Sequence, residues 1–103
     1  MIRVSVLYTN SEGCRFDMDY YRDHHIPLLR ARLGEVLKQV TVEQGIGGGR
    51  PGASAPYLVM CHQLFESVEA FQNAIAPHGA EIMADVANFT DIKPKIQFSR
   101  IIL

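Results

Sequence analysis

Ile2, Val4, Val6 and Tyr8 alternate with Arg3, Ser5 and Thr9, the period-two pattern of a strand with one face turned to a core. Ser11-Glu12-Gly13 ends that pattern. From Met18 the apolar spacing becomes helical and runs to about residue 33, where Gly34 supplies a stop. Asp17 is placed to cap this helix, and Phe16 to staple onto Tyr21. Pro27 lies inside it, lacks an amide donor and disfavours helical geometry at Ile26, so a kink or break is expected between His25 and Pro27. Val36 to Ile46 is rich in β-branched residues and reads as a second strand, followed by a glycine-rich turn from Gly47 to Gly52. Tyr57 to Phe65 reads as a third strand. Ser67 can cap a second helix carrying Val68, Phe71 and Ile75; Pro77-His78-Gly79 interrupts it before Ile82, Met83, Val86 and Phe89 resume the spacing. Ile96 to Leu103 closes as a fourth strand.

The order β-α-β-β-α-β is that of the ferredoxin-like α+β fold, an antiparallel sheet with both helices on one face. The whole chain, residues 1–103, is expected to form a single domain. The third strand is apolar on both faces, with Tyr57, Val59 and Cys61 on one and Leu58, Met60 and Leu64 on the other. Helices cover only one of these, so a symmetric homodimer is expected to cover the other.

Composition narrows the partners. Ten basic and eleven acidic side chains leave a net charge of −1, which gives no field to attract nucleic acid or an anionic membrane surface. No run approaches the length of a membrane span, and the first residues enter a strand pattern rather than a secretory leader. With Cys14 and Cys61 alone, a reducing cytoplasmic setting is expected rather than a disulfide scaffold. The four histidines show no metal-ligand spacing with acidic or thiol partners, so no metal is expected. Gly47-Gly48-Gly49 precedes a strand and lacks the frame of a phosphate cradle, and no nicotinamide or flavin motif is present, so no cofactor is expected.

The chemistry-bearing stretch runs from Phe16 to Leu29. Tyr20 and His24, and likewise Tyr21 and His25, stand four apart and stack along a helix surface; with Leu28 they share one broad sector, expected to face the sheet. Two imidazoles and two phenols there could bind a polar organic molecule, relay a proton or offer a neutral imidazole to a metal. The same residues also suit a hydrogen-bonded core histidine packed with amphipathic tyrosines. Periodicity does not choose between His24 and His25.

The run Phe16-Asp17-Met18-Asp19-Tyr20-Tyr21-Arg22-Asp23-His24-His25-Ile26-Pro27-Leu28 resembles the signature of the EthD family, an aromatic pair followed by a histidine and then by proline and leucine. Ala84-Asp85-Val86-Ala87-Asn88-Phe89-Thr90-Asp91 resembles the family's second block. The resemblance matches His25, paired with Tyr21, to the family histidine. It implies a dimeric α+β barrel with a ligand cleft between sheet and helices, His25 and Tyr21 as catalytic residues, and Tyr20, His24, Leu28, Asp85 and Phe89 as ligand-binding ones. Founding members are associated with bacterial breakdown of ethyl tert-butyl ether, and related barrels include monooxygenases, isomerases and decarboxylases. The function it implies is binding of a small hydrophobic or aromatic molecule by a catabolic, oxidoreductase-associated enzyme that needs no cofactor. The alternatives are an accessory protein that binds without turnover, and a haem protein with His25 as axial ligand. Fold alone does not decide among them.

Overall fold

The computed structural model describes residues 1–103. Its strands are β1 (Ile2–Thr9), β2 (Gln39–Gln44), β3 (Tyr57–Phe65) and β4 (Lys95–Arg100). They form one antiparallel sheet in the order β2-β3-β1-β4. The first helical region joins α1 (Met18–Tyr20), a π-helical turn (Tyr21–His25) and α2 (Ile26–Leu33); the second holds α3 (Val68–Ile75) and α4 (Gly79–Asp85). This is the ferredoxin-like arrangement.

The caps act as the sequence suggests. Asp17 accepts from the Tyr20 amide at 3.1 Å, Ser67 from the Ala70 amide at 3.0 Å, and Gly34 ends α2 with φ at +58°. The expected kink at Pro27 is replaced by something subtler. The Ile26 amide bonds to the Tyr21 carbonyl, five residues back, and the helix runs on without a break. The widened turn accommodates the donor that Pro27 lacks.

Two strand boundaries differ from expectation. Gly34–Val36 is a 3-10 turn, so β2 starts at Gln39 rather than at Val36, and it ends at Gln44. β4 stops at Arg100 because its partner β1 begins at Ile2, opposite that residue; Ile102 and Leu103 lie outside the ladder and exposed.

The helices cover the sheet face that carries Val4 and Tyr8 from β1 and Val59, Cys61, Gln63 and Phe65 from β3, all buried. Leu58, Met60, His62 and Leu64 alternate with them onto the open face and are half-buried. At the centre of that face Ser5 stands opposite His62, with Oγ 2.8 Å from Nδ1.

Candidate functional site

Phe16 and Thr90 form an isolated bridge, and the Asp17 amide donates to the Phe89 carbonyl at 2.7 Å. Contacts more than 70 residues apart in sequence therefore stitch the segments Phe16–Leu28 and Ala84–Asp91 into one unit before any ligand is considered. Tyr8, Phe16, Tyr21 and Phe89 fill its centre edge to face, at centroid distances of 4.9–5.9 Å.

His25 is 6% exposed, stacked on Tyr21 at 5.5 Å and packed against Phe89 at 4.6 Å. Its Nδ1 lies 2.9 Å from Asp85 Oδ2. The other carboxylate oxygen, Oδ1, accepts from the Tyr20 hydroxyl at 2.6 Å and from the Asn88 amide at 3.0 Å. Partial burial pushes the Asp85 carboxyl upward, but the hydrogen bonds from Tyr20, His25 and Asn88 outweigh it and hold the group below its ordinary value. Asp85 is thus a carboxylate that accepts the Nδ1 proton and leaves the lone pair on Nε2. No side-chain nitrogen or oxygen is both fully buried and unpartnered.

His25 and Tyr21 line a cavity of about 100 Å³ between the helices and the sheet, open at one side. That is about two thirds of the 150 Å³ of an apolar protein cavity that holds benzene. Most of its wall is aliphatic or aromatic, from Val4 and Val6 of β1, Ile26 and Leu29 of α2, Phe71 and Ile75 of α3 and Ile82 of α4. Its other polar side chains are Tyr8, Cys61 and Gln63. Burial raises the Tyr8 and Tyr21 phenols well above their ordinary value and raises the Cys61 thiol as well, so all three stay protonated at neutral pH.

The other residues singled out in the sequence have different places. Asp85 and Tyr20 stand behind His25 and do not line the cavity. Phe89 is fully buried in the aromatic cluster, also outside the lining. His24 is exposed and stacks on Tyr20 at 4.9 Å. Leu28 is half-buried away from the cavity, and Leu29 takes a place in its wall. The inward sector is therefore narrower than a regular α-helix suggests. Tyr8 and Gln63 escaped notice as site residues, although both occupy inward positions of their strands: Tyr8 shares the parity of Val4 and Val6, and Gln63 that of Val59 and Cys61. No three His, Cys, Asp or Glu side chains cluster as a metal-ligand set, and no helix is long and apolar enough to cross a membrane.

Comparison with known proteins places these features in a lineage. The profile of the EthD domain matches residues 15–93. The crystal structure of an EthD-like protein from Ralstonia eutropha JMP134 superposes with a TM-score of 0.94 at 44% identity, over 99% of this chain and 92% of that one. An ethyl tert-butyl ether degradation (EthD) family protein from Bacillus halodurans C-125 gives 0.75 at 21% identity, over 99% of both chains. A dimeric ferredoxin-like protein from Thermobifida fusca YX gives 0.59 at 13% identity, over 97% of this chain and 90% of that one. The last two show the shared fold. No curated protein matches the chain.

Proposed function

The chain belongs to the EthD family, and on that premise we propose that it binds a small, largely apolar organic molecule in the cavity beside His25 and acts on it by proton transfer. The observation that carries this reading is His25, paired with Asp85 at 2.9 Å behind it, on the wall of a largely apolar cavity. A core histidine needs its hydrogen bonds satisfied inside the protein. Here Asp85 engages one ring nitrogen and the residue still lines open space, which suits a general base or acid. Asp85 fixes the tautomer and steadies the positive charge that forms when Nε2 takes a proton. Tyr21 holds the ring plane from the other side. The apolar wall keeps water away and strengthens both interactions. Such chemistry needs no cofactor and fits a catabolic role like that in the family's name. The lining is mostly aliphatic and carries no Lys or Arg to meet the propionates of a haem, so His25 as an axial haem ligand is the weaker reading.

The reading includes a homodimer. Leu7, Leu58, Met60 and Leu64 form half-buried apolar positions on the sheet face that no helix covers, and a second copy packed there would give the closed barrel. The free cysteines Cys14 and Cys61 support a reducing, cytoplasmic setting.

The test is paired. Toluene, a neutral probe of ring size, should bind the wild type by ligand-detected NMR. It should also bind His25→Gln, whose cavity remains, while turnover of any substrate returned by a screen is lost. Failure of toluene to bind the wild type would sink the cavity as a ligand site.

A further inference from the structure

We propose that Tyr8 is a second catalytic residue of this cavity and that the substrate is a compact, uncharged, enolisable carbonyl compound. The inference rests on the reading of His25 as the base of the site.

Tyr8 is 2% exposed, on the inward face of β1, and lines the cavity together with Tyr21 and His25. Its ring is fixed edge-on by Phe16 at 5.2 Å, Tyr21 at 5.8 Å and Phe89 at 5.9 Å. Three aromatic contacts on a β-strand residue hold the hydroxyl in one place, as preorganised electrostatic stabilisation requires. The Tyr21 ring packs beside it on the same cavity wall. Burial keeps the Tyr8 phenol protonated, and so a donor, at neutral pH.

The cavity thus offers an acceptor, His25 Nε2, and a donor, Tyr8 O–H, beside Tyr21, in a wall that is otherwise mostly hydrocarbon. A ligand with a carbonyl oxygen and an adjacent C–H satisfies both at once. The step balances without an oxidant or reductant. Nε2 takes the α-proton, the C–H electron pair forms the new C=C bond, and the carbonyl π pair moves to oxygen, where the Tyr8 hydroxyl stabilises the enolate. The imidazolium exchanges its proton with solvent and delivers one back to the same carbon, giving isotope exchange, or, where a C=C bond is conjugated with the enolate, to the far carbon of that dienolate, giving isomerisation. A saturated ether offers Tyr8 an oxygen but His25 no acidic proton, and a hydrocarbon offers neither. The walls from Val6, Leu29, Phe71 and Ile82 admit no charged group.

Exchange of the α-protons of cyclohexanone in D2O, followed by proton NMR, tests this without knowledge of the natural substrate. The wild type should accelerate deuteration above the buffer rate. Tyr8→Phe should slow it by about 100-fold, the usual loss when one such donor is removed, while toluene binding and the thermal midpoint stay close to wild type. His25→Gln should return the rate to background. Equal rates for Tyr8→Phe and wild type would overturn the role of Tyr8. A wild type that binds toluene but exchanges no cyclohexanone proton would overturn the carbonyl substrate class while leaving the cavity reading intact. A wild type that binds neither probe would overturn both.

Discussion

Tyr20 and His25, five residues apart, reach the two oxygens of one carboxylate: Tyr20 Oη lies 2.6 Å from Asp85 Oδ1, and His25 Nδ1 lies 2.9 Å from Asp85 Oδ2. In a regular α-helix residues five apart diverge by more than a quarter turn. The π-helical turn from Tyr21 to His25 closes that angle, so the backbone irregularity next to Pro27 is what lets both side chains converge.

Asp85→Asn should cost about 1–3 kcal/mol at neutral pH, because buried His25 loses its charged partner. The gap should depend on pH. The Asp85 carboxyl is lowered in the fold, so the folded chain binds fewer protons than the unfolded one as pH falls. Its contribution is complete above the ordinary carboxyl value of about 4 and is lost as pH drops through the lower folded value. Urea melts of wild type and variant between pH 7 and 3 check this; a gap that widens toward acid would contradict it.

Tyr20→Phe should show the opposite pH sense. The hydrogen bond to Asp85 raises the Tyr20 phenol, so its contribution is present below the ordinary phenol value of about 10 and is lost as pH rises through the folded one. The stability difference between wild type and Tyr20→Phe should shrink in alkali, measured by thermal unfolding from pH 8 to 11.

His24→Gln should change stability by no more than about 0.5 kcal/mol, as expected of an exposed side chain, and should leave ligand binding intact. A loss of turnover in His24→Gln with none in His25→Gln would reverse the assignment of the two histidines.

Met60→Lys should dissociate or unfold the protein, because Met60 lies at the middle of the uncovered sheet face, opposite Leu7. Sedimentation equilibrium at low micromolar concentration checks it. A wild-type monomer, or a stable dimer of the variant, would remove that face as the interface.

Much of this architecture was legible in the sequence. Alternation from Ile2 to Tyr8, the caps at Asp17 and Ser67 and the stop at Gly34 act over a few residues, so local pattern finds them. The start of β2 and the end of β4 were not legible, since the first is set by the 3-10 turn at Gly34–Val36 and the second by where β1 begins. Nor was the geometry around His25. Spacing by four paired Tyr20 with His24 and Tyr21 with His25, and both pairs do stack, but the π-helical turn sets which histidine is buried and which tyrosine meets Asp85. Asp85 came into view through resemblance alone; its role as the partner of His25 arises from a contact 60 residues away in sequence. Tyr8 was read as an ordinary inward strand residue because periodicity carries no information about a cavity.

The most direct test of the central claim is a titration of the uniformly 15N-labelled protein with toluene, following backbone amides and the His25 ring nitrogens. Shifts should concentrate at Tyr8, Tyr21, His25, Leu29 and Ile82, with Nδ1 of His25 protonated and Nε2 the nitrogen that responds. Shifts confined to the open face around Leu58 and Met60, or a His25 ring that does not respond, would contradict it.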